Sequence, residues 1–258
     1  MSRDSRVSAG VRLAVTTFTV LPVRPGRIDR STAAVAMAVA PVLGVALGVT
    51  LGVVLLVLTT LGAPPLVAGA ATVGLGALVT RGLHLDGLAD TVDALGSHRP
   101  RADALAIMKK PDVGPFGVAA LSVVLLLQSA SVAALPARGW LAAVAAVAAA
   151  TAAGRLAVSW ACRRGIPAAR PEGLGALVAG TVSPPVLAVA TPAVAAVGLL
   201  ATPGRPWQGP LAVGAALAVT VALLRHVVRR LGGVTGDVLG AAVEVTTTLT
   251  LLGLVLGG

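Results

Sequence analysis

The chain has 258 residues, of which 56% are hydrophobic and 12% are charged, and its formal net charge is +10. A mean hydropathy of +0.93 excludes a soluble globular domain. The chain also contains uncharged runs of about 20 residues or more, which are typical of membrane-spanning helices. The single cysteine, Cys162, excludes an internal disulfide framework. In a soluble protein this excess of basic residues would suggest a nucleic-acid partner. In a membrane protein basic residues set the orientation of the helices, so no nucleic acid is expected.

The apolar segments predict an all-α, polytopic helix bundle in the lipid bilayer. Seven spans are predicted, in chain order: 32–60, 65–81, 113–136, 139–161, 174–200, 208–230 and 237–257. The whole chain, 1–258, is interpreted as one membrane domain. It has a cytoplasmic or interfacial N-terminal segment at 1–31 and a cytoplasmic acidic loop at 82–112. Pro184 with Pro185, and also Gly236, could break further helices.

Lysine and arginine are divided very unevenly between the two sides that these spans define. With the N-terminus in the cytoplasm, seventeen of them fall on the cytoplasmic side, and only Arg138 and Arg205 fall on the other. This asymmetry follows the positive-inside rule. The sequence therefore predicts a multi-pass protein of the cytoplasmic membrane, with its C-terminus outside and its acidic residues facing the cytoplasm.

Half of the ten acidic residues lie between Arg81 and Gly117. Asp86, Asp90 and Asp93 are spaced by four and three residues, so on a helix turning about 100° per residue they share one face. Three carboxylates this close repel one another unless a cation lies among them, and Mg²⁺ is the predicted ion because it prefers carboxylate and phosphate oxygens. A solvated polar helix face is the alternative, which the lack of interleaved lysine or arginine disfavours.

A second acidic pair opens the last predicted span. Asp237 and Glu244 are seven residues apart and so lie on one helical face, with Glu244 about two turns into an apolar helix. An ionisable residue at that depth indicates function, although a glutamate paired with a neighbouring helix is the alternative. The glycine-rich run that ends in Thr235 and Gly236 precedes this helix, where backbone amides can bind an anion or a metal-bound phosphate.

His84 lies two residues before Asp86, and its first interpretation is a hydrogen-bond partner of an aspartate. A general base is the second interpretation and a metal ligand the third. The sequence has no Ser-His-Asp pattern, no cysteine pair and no Walker loop. Acids, Mg²⁺ and basic side chains at one membrane face therefore indicate phosphoryl or nucleotidyl transfer, in which positioning and charge neutralisation supply most of the catalysis.

Several blocks, in order over nearly the whole chain, resemble the cobalamin synthase (adenosylcobinamide-GDP ribazoletransferase) family. The most specific is LHLDGLADTVD at 83–93, which matches the family signature almost letter for letter. TFTVLPV at 17–23 and the segment 107–117 resemble two further motifs. The match continues through Arg155, Ala169–Pro171, Gly232–Asp237 and Glu244.

This resemblance implies that α-ribazole, or its 5′-phosphate, attacks adenosylcobinamide-GDP in a Mg²⁺-dependent reaction that releases GMP and forms adenosylcobalamin or its phosphate. The candidate catalytic residues are then His84, Asp86, Asp90 and Asp93. The candidate metal ligands are Asp86, Asp90, Asp93, Asp237 and Glu244. The candidate substrate-binding residues are Lys109, Arg155, Arg170, Thr235 and Gly236.

The chain departs from the family pattern at Lys110, where aspartate is common, and at Asp112, where a basic residue is common, so neither is given a metal role. The alternatives within enzymes are a membrane CDP-alcohol phosphotransferase and a prenyltransferase; the first usually has arginine at the place of Thr91. An ion-coupled transporter is the alternative from a different class, but its charged residues are expected near the bilayer midplane.

Overall fold

The computed structural model describes residues 3–24 and 26–256, and every regular element in that part of the chain is a helix, as predicted. The helices are α1 (Arg3–Phe18), α2 (Arg30–Thr60), α3 (Pro65–Val79), α4 (Leu83–Gly96), α5 (Arg101–Ile107), α6 (Pro115–Ala134), α7 (Trp140–Ala161), α8 (Leu174–Val178), α9 (Pro184–Gly198), α10 (Gln208–Leu231) and α11 (Gly236–Val255). A 3₁₀ turn, Leu135–Arg138, extends α6. The N-terminal segment, predicted to be cytoplasmic or interfacial, contains α1, which packs against α2.

Five described helices are long and apolar enough to cross a membrane, namely α2, α6 with its 3₁₀ turn, α7, α10 and α11. The pair α3 and α4, bent by 90°, would make a sixth span, so the predicted count of seven is not confirmed. The predicted span 174–200 is divided, because Gly180 adopts a left-handed conformation (φ +72°) and Pro184 begins a new helix. The chain is nevertheless a multi-pass membrane protein.

Helix α7 forms the centre of the bundle, and nearly all of its residues are buried. It packs most extensively against α2, where Gly44, Gly48 and Gly52 face it at intervals of one helical turn. A Cβ atom at Gly44 would lie 2.7 Å from the Cα of Ala152, and one at Gly52 would lie 2.8 Å from the Cα of Val144. These glycines let two backbones approach closely, which is how helices associate in lipid without a hydrophobic driving force.

The connection from α3 to α4 turns the chain by 90° through two residues in the left-handed region, Arg81 (φ 57°) and Gly82 (φ 66°). The turn brings α4 across the beginning of α11. A Cβ at Gly87 of α4 would lie 2.6 Å from the carbonyl oxygen of Asp237, and a Cβ at Gly240 of α11 would lie 3.1 Å from the Cα of His84. Glycine at both positions therefore allows the two helices to cross in direct backbone contact.

The close crossing of α4 and α11 leads to a testable prediction about stability. We expect Gly87→Ala to lower the melting temperature of the purified protein in detergent, since overpacking typically costs about 1–3 kcal/mol. Gly214→Ala is the matched control, because a Cβ there would meet no atom within 4 Å and alanine favours a helix over glycine. Equal melting temperatures for the two variants in a thermal unfolding assay would contradict the proposed role of Gly87.

Candidate functional site

The crossing of α4 and α11 brings carboxylates of both helices into one site. Asp86 is exposed, whereas Asp90 and Asp237 are each partly buried. The carboxylates of Asp86 and Asp237 lie close enough to Asp90 to repel its charge, and the guanidinium of Arg170 lies close enough to attract it. The structure therefore joins two acidic segments that are more than 140 residues apart in the chain, with a cation beside them.

Arg170, which supplies this positive charge, lies in a loop that is held in place by backbone hydrogen bonds to the residues just before α11. Val234 N donates to the carbonyl of Pro167 at 3.0 Å, and Ala169 N donates to the carbonyl of Val234 at 3.0 Å. The Arg170 guanidinium itself donates to the carbonyl of Leu105 in α5. Two glycine- and proline-rich segments are thus fixed against each other, so Arg170 is held beside the acids.

A cavity of about 260 Å³ opens next to this arrangement. Its lining residues include Arg170, Thr235, Gly236, Asp237 and His84. The Thr235 hydroxyl accepts a hydrogen bond from Val238 N at 3.2 Å and donates to the Asp237 carboxylate at 3.2 Å. Thr235 therefore caps α11 and fixes the Asp237 side chain at the edge of the cavity.

Asp93 shares the acidic face of α4 but has different partners. Its carboxylate accepts hydrogen bonds from Gly114 N at 2.7 Å and from Gly117 N at 2.9 Å, at the beginning of α6. Both oxygens thus bind amides at a helix N-terminus, where a negative charge is favourable. Through these contacts Asp93 holds α6 against α4. Its predicted roles as a metal ligand and a catalytic residue stay predictions.

His84 is buried, and its Nε2 atom has no hydrogen-bond partner among the residues that the structure describes. The predicted hydrogen bond to an aspartate is not formed within the described part of the chain, because residues two apart lie on nearly opposite sides of a helix. The imidazole instead lies beside Phe18, with ring centroids 6.1 Å apart, between the 260 Å³ cavity and a second one.

The second cavity, of about 70 Å³, lies deeper among the membrane helices and contains Arg155 and Glu244. Gln128 of α6 donates from Nε2 to the Glu244 carboxylate at 2.8 Å and to the Thr248 hydroxyl at 2.9 Å. Glu244 is therefore placed in a buried polar network rather than beside the acids of α4. Gln128 was not among the predicted site residues, although a lone glutamine within an uncharged apolar run was a usable signal.

Lys109, a predicted substrate-binding residue, forms a salt bridge with Glu172 at 3.5 Å, and both side chains are exposed. Glu172 lines the 260 Å³ cavity, so Lys109 lies at its outer rim. Across the described residues, no three histidine, cysteine, aspartate or glutamate side chains converge closely enough to hold a metal ion by themselves. The site thus consists of a few carboxylates, one arginine and a cavity, and a metal bound there would need further ligands.

Comparison with known proteins gives the family of this chain. Residues 10–255 match the family model described as cobalamin-5-phosphate synthase. The adenosylcobinamide-GDP ribazoletransferase of Frankia casuarinae is 42% identical, over 93% of this chain and 92% of the relative. The enzyme of the same name from a Nocardioides species is 42% identical, over 93% and 96% of the two chains. No solved structure matches the chain. With the match extending from α1 to the end of α11, the chain belongs to the cobalamin-5-phosphate synthase family of enzymes.

Proposed function

We propose that this protein is an adenosylcobinamide-GDP ribazoletransferase that joins α-ribazole, or its 5′-phosphate, to adenosylcobinamide-GDP and releases GMP. The observation that carries the proposal is that Asp86 and Asp90 lie close to Asp237 and Arg170, two residues that line one cavity. A diphosphate needs charge neutralisation on the phosphorus that is attacked and on the phosphate that leaves, and this arrangement suits both needs. The names of the relatives supply the substrates.

The donor set of the site fits Mg²⁺. This ion usually binds one or two protein carboxylates and completes its octahedron with water and substrate phosphates, so it does not need three converging protein ligands. Asp86, Asp90 and Asp237 are the carboxylates that would hold it. When bound, the ion would neutralise negative charge on the diphosphate. We give Asp93 and Glu244 supporting roles, because Asp93 binds backbone amides and Glu244 binds Gln128.

In the proposed reaction a ribose hydroxyl oxygen forms a new bond to the cobinamide-side phosphorus, and the bond from that phosphorus to the oxygen of GMP breaks. Arg170 would stabilise the charge that develops on the leaving phosphate. The hydroxyl proton needs an acceptor, and His84 is the proposed general base because it lines the same cavity and its Nε2 has no partner.

We further propose that this site faces the cytoplasm. The basic loops that the sequence assigns to the cytoplasm contact one another around the site. Arg230 donates to the carbonyl of Arg99, and Arg101 donates to the carbonyl of Ala169. Because these loops come from distant parts of the chain, their contacts support a single basic end of the bundle, as the positive-inside rule requires.

The activity itself is tested with purified protein, Mg²⁺, adenosylcobinamide-GDP and α-ribazole, with GMP release as the measurement. We expect Asp90→Asn to reduce turnover at least about a hundredfold, the scale for removal of one transition-state electrostatic contact. Asp103→Asn is the control, because Asp103 is an exposed acid of α5 outside the cluster, and it should retain normal turnover. A wild-type protein that releases no GMP would refute the function, whereas an active Asp90→Asn variant would refute only the site.

A double mutant tests whether the acids of α4 and α11 form one site. The losses from Asp90→Asn and Asp237→Asn should be non-additive, because residues that act as a unit do not contribute independently. Turnover of the double variant should therefore be close to that of the worse single variant. If the double loss equals the product of the two single losses, Asp237 acts separately from α4.

Cysteine labelling tests the orientation. Cys162 should not interfere, because it is buried and burial raises the pKa of its thiol. We expect an impermeant maleimide to label His98→Cys only from the cytoplasmic side. Pro203 lies in an exposed loop before α10, whereas the basic residues Arg229 and Arg230 lie at the other end of this helix. Pro203→Cys should therefore be labelled only from the outside. Labelling of position 98 from outside would reverse the proposed orientation.

A further inference from the structure

Helices α4 and α10 both pack on α11, and an apolar groove of about 160 Å³ lies between them. Its floor is formed by buried residues of α11, and its walls by residues of α4 and α10; among them are Val238, Ala241, Ala242, Leu88, Leu95 and Val227. On α4 the groove residues recur at three- and four-residue intervals, on a different face from Asp86 and Asp90. The groove thus lies behind the helix that carries the acids.

A buried polar atom of the groove wall has no hydrogen-bond partner in the described part of the chain. The Oγ1 atom of Thr91 is buried without a hydrogen bond, and Thr91 is a wall residue of the groove. A buried hydroxyl without a partner is unfavourable, so such groups normally find an acceptor. An occupant that places an acceptor oxygen in an otherwise apolar environment would satisfy it.

The end of the groove nearest the C-terminus of α10 is positively charged. Arg230 follows the groove residues His226 and Val227 by four and three positions, so it lies on the same face of α10. Its guanidinium donates to the carbonyl of Arg99, just after α4, and so spans the gap between the two helices. Neither arginine forms a salt bridge with a carboxylate among the described residues.

We propose that this groove binds an anionic phospholipid. One acyl chain would occupy the apolar groove along α11, an ester carbonyl would accept the hydrogen bond from Thr91, and the phosphate would lie beside Arg230 and Arg99. A phospholipid supplies an apolar chain, an acceptor and a negative charge together, and so complements all three features. The bound lipid supports α4 from behind, opposite its acids, and its binding does not depend on the proposed reaction.

Native mass spectrometry of the full-length protein with phosphatidylglycerol or phosphatidylcholine of identical chains tests the proposal. We expect the wild type to retain one phosphatidylglycerol in preference to phosphatidylcholine. Arg230→Ala should weaken phosphatidylglycerol binding about fivefold, the contribution of one basic residue near a membrane surface. Arg229→Ala is the matched control, because this exposed neighbour is not on the groove face and should keep the preference.

Thr91→Val, which keeps the shape of the side chain, should weaken the binding of both lipids, and Ala241→Phe should abolish it by filling the groove. If Ala241→Phe does not fold, Thr91→Val and the two arginine variants still decide the outcome. Equal retention of the two lipids by the wild type, or equal losses in Arg229→Ala and Arg230→Ala, would overturn the proposal. A dimer that Thr91→Val dissociates would also overturn it and assign the groove to a second copy of the chain.

Discussion

The direct backbone contact between α4 and α11 is the constraint on which the rest of the site depends. Gly87 and Gly240 bring the two helices close enough for carboxylates from both to act on one another. The close contact brings the charges together, and the close packing of the helices opposes their repulsion. Like charges held in this way favour the binding of a cation. Helix packing therefore creates the electrostatic field of the site.

Asp90 and Asp93 lie on one helical face but have different roles, because they contact different partners. Asp90 faces Asp237 and Arg170, whereas Asp93, less than one turn further, faces the amides that open α6. The first arrangement leaves oxygens free for a ligand, and the second uses both of them. A similar division separates Asp237, at the edge of a cavity, from Glu244, which is partly buried two turns further along α11 and bonded to Gln128.

Part of this site could be predicted from the sequence, and part of it could not. Spacing placed Asp86, Asp90 and Asp93 on one helical face, because helical periodicity depends only on local geometry. Spacing could not assign the partners of Asp93, because these lie on another helix, at Gly114 and Gly117. Positive charge identified the basic loops, but hydropathy could not detect the 90° bend after Val79 or the division of the span at 174–200. The bend depends on left-handed residues such as Gly82, whereas the division depends on Gly180 and also on Pro184, which the sequence had indicated as a possible helix break.

The 90° bend also has a consequence for the depth of the site. Helix α3 has 15 residues, or about 22 Å of length, whereas the hydrocarbon core of a bilayer is about 30 Å thick. A helix this short would bring its end, and the acidic helix that follows, below the level of the lipid headgroups unless the bilayer thins beside it. A site recessed in this way would be open to lipid as well as to water. A large amphiphilic ligand can then leave its apolar part in the membrane while its phosphates reach the carboxylates.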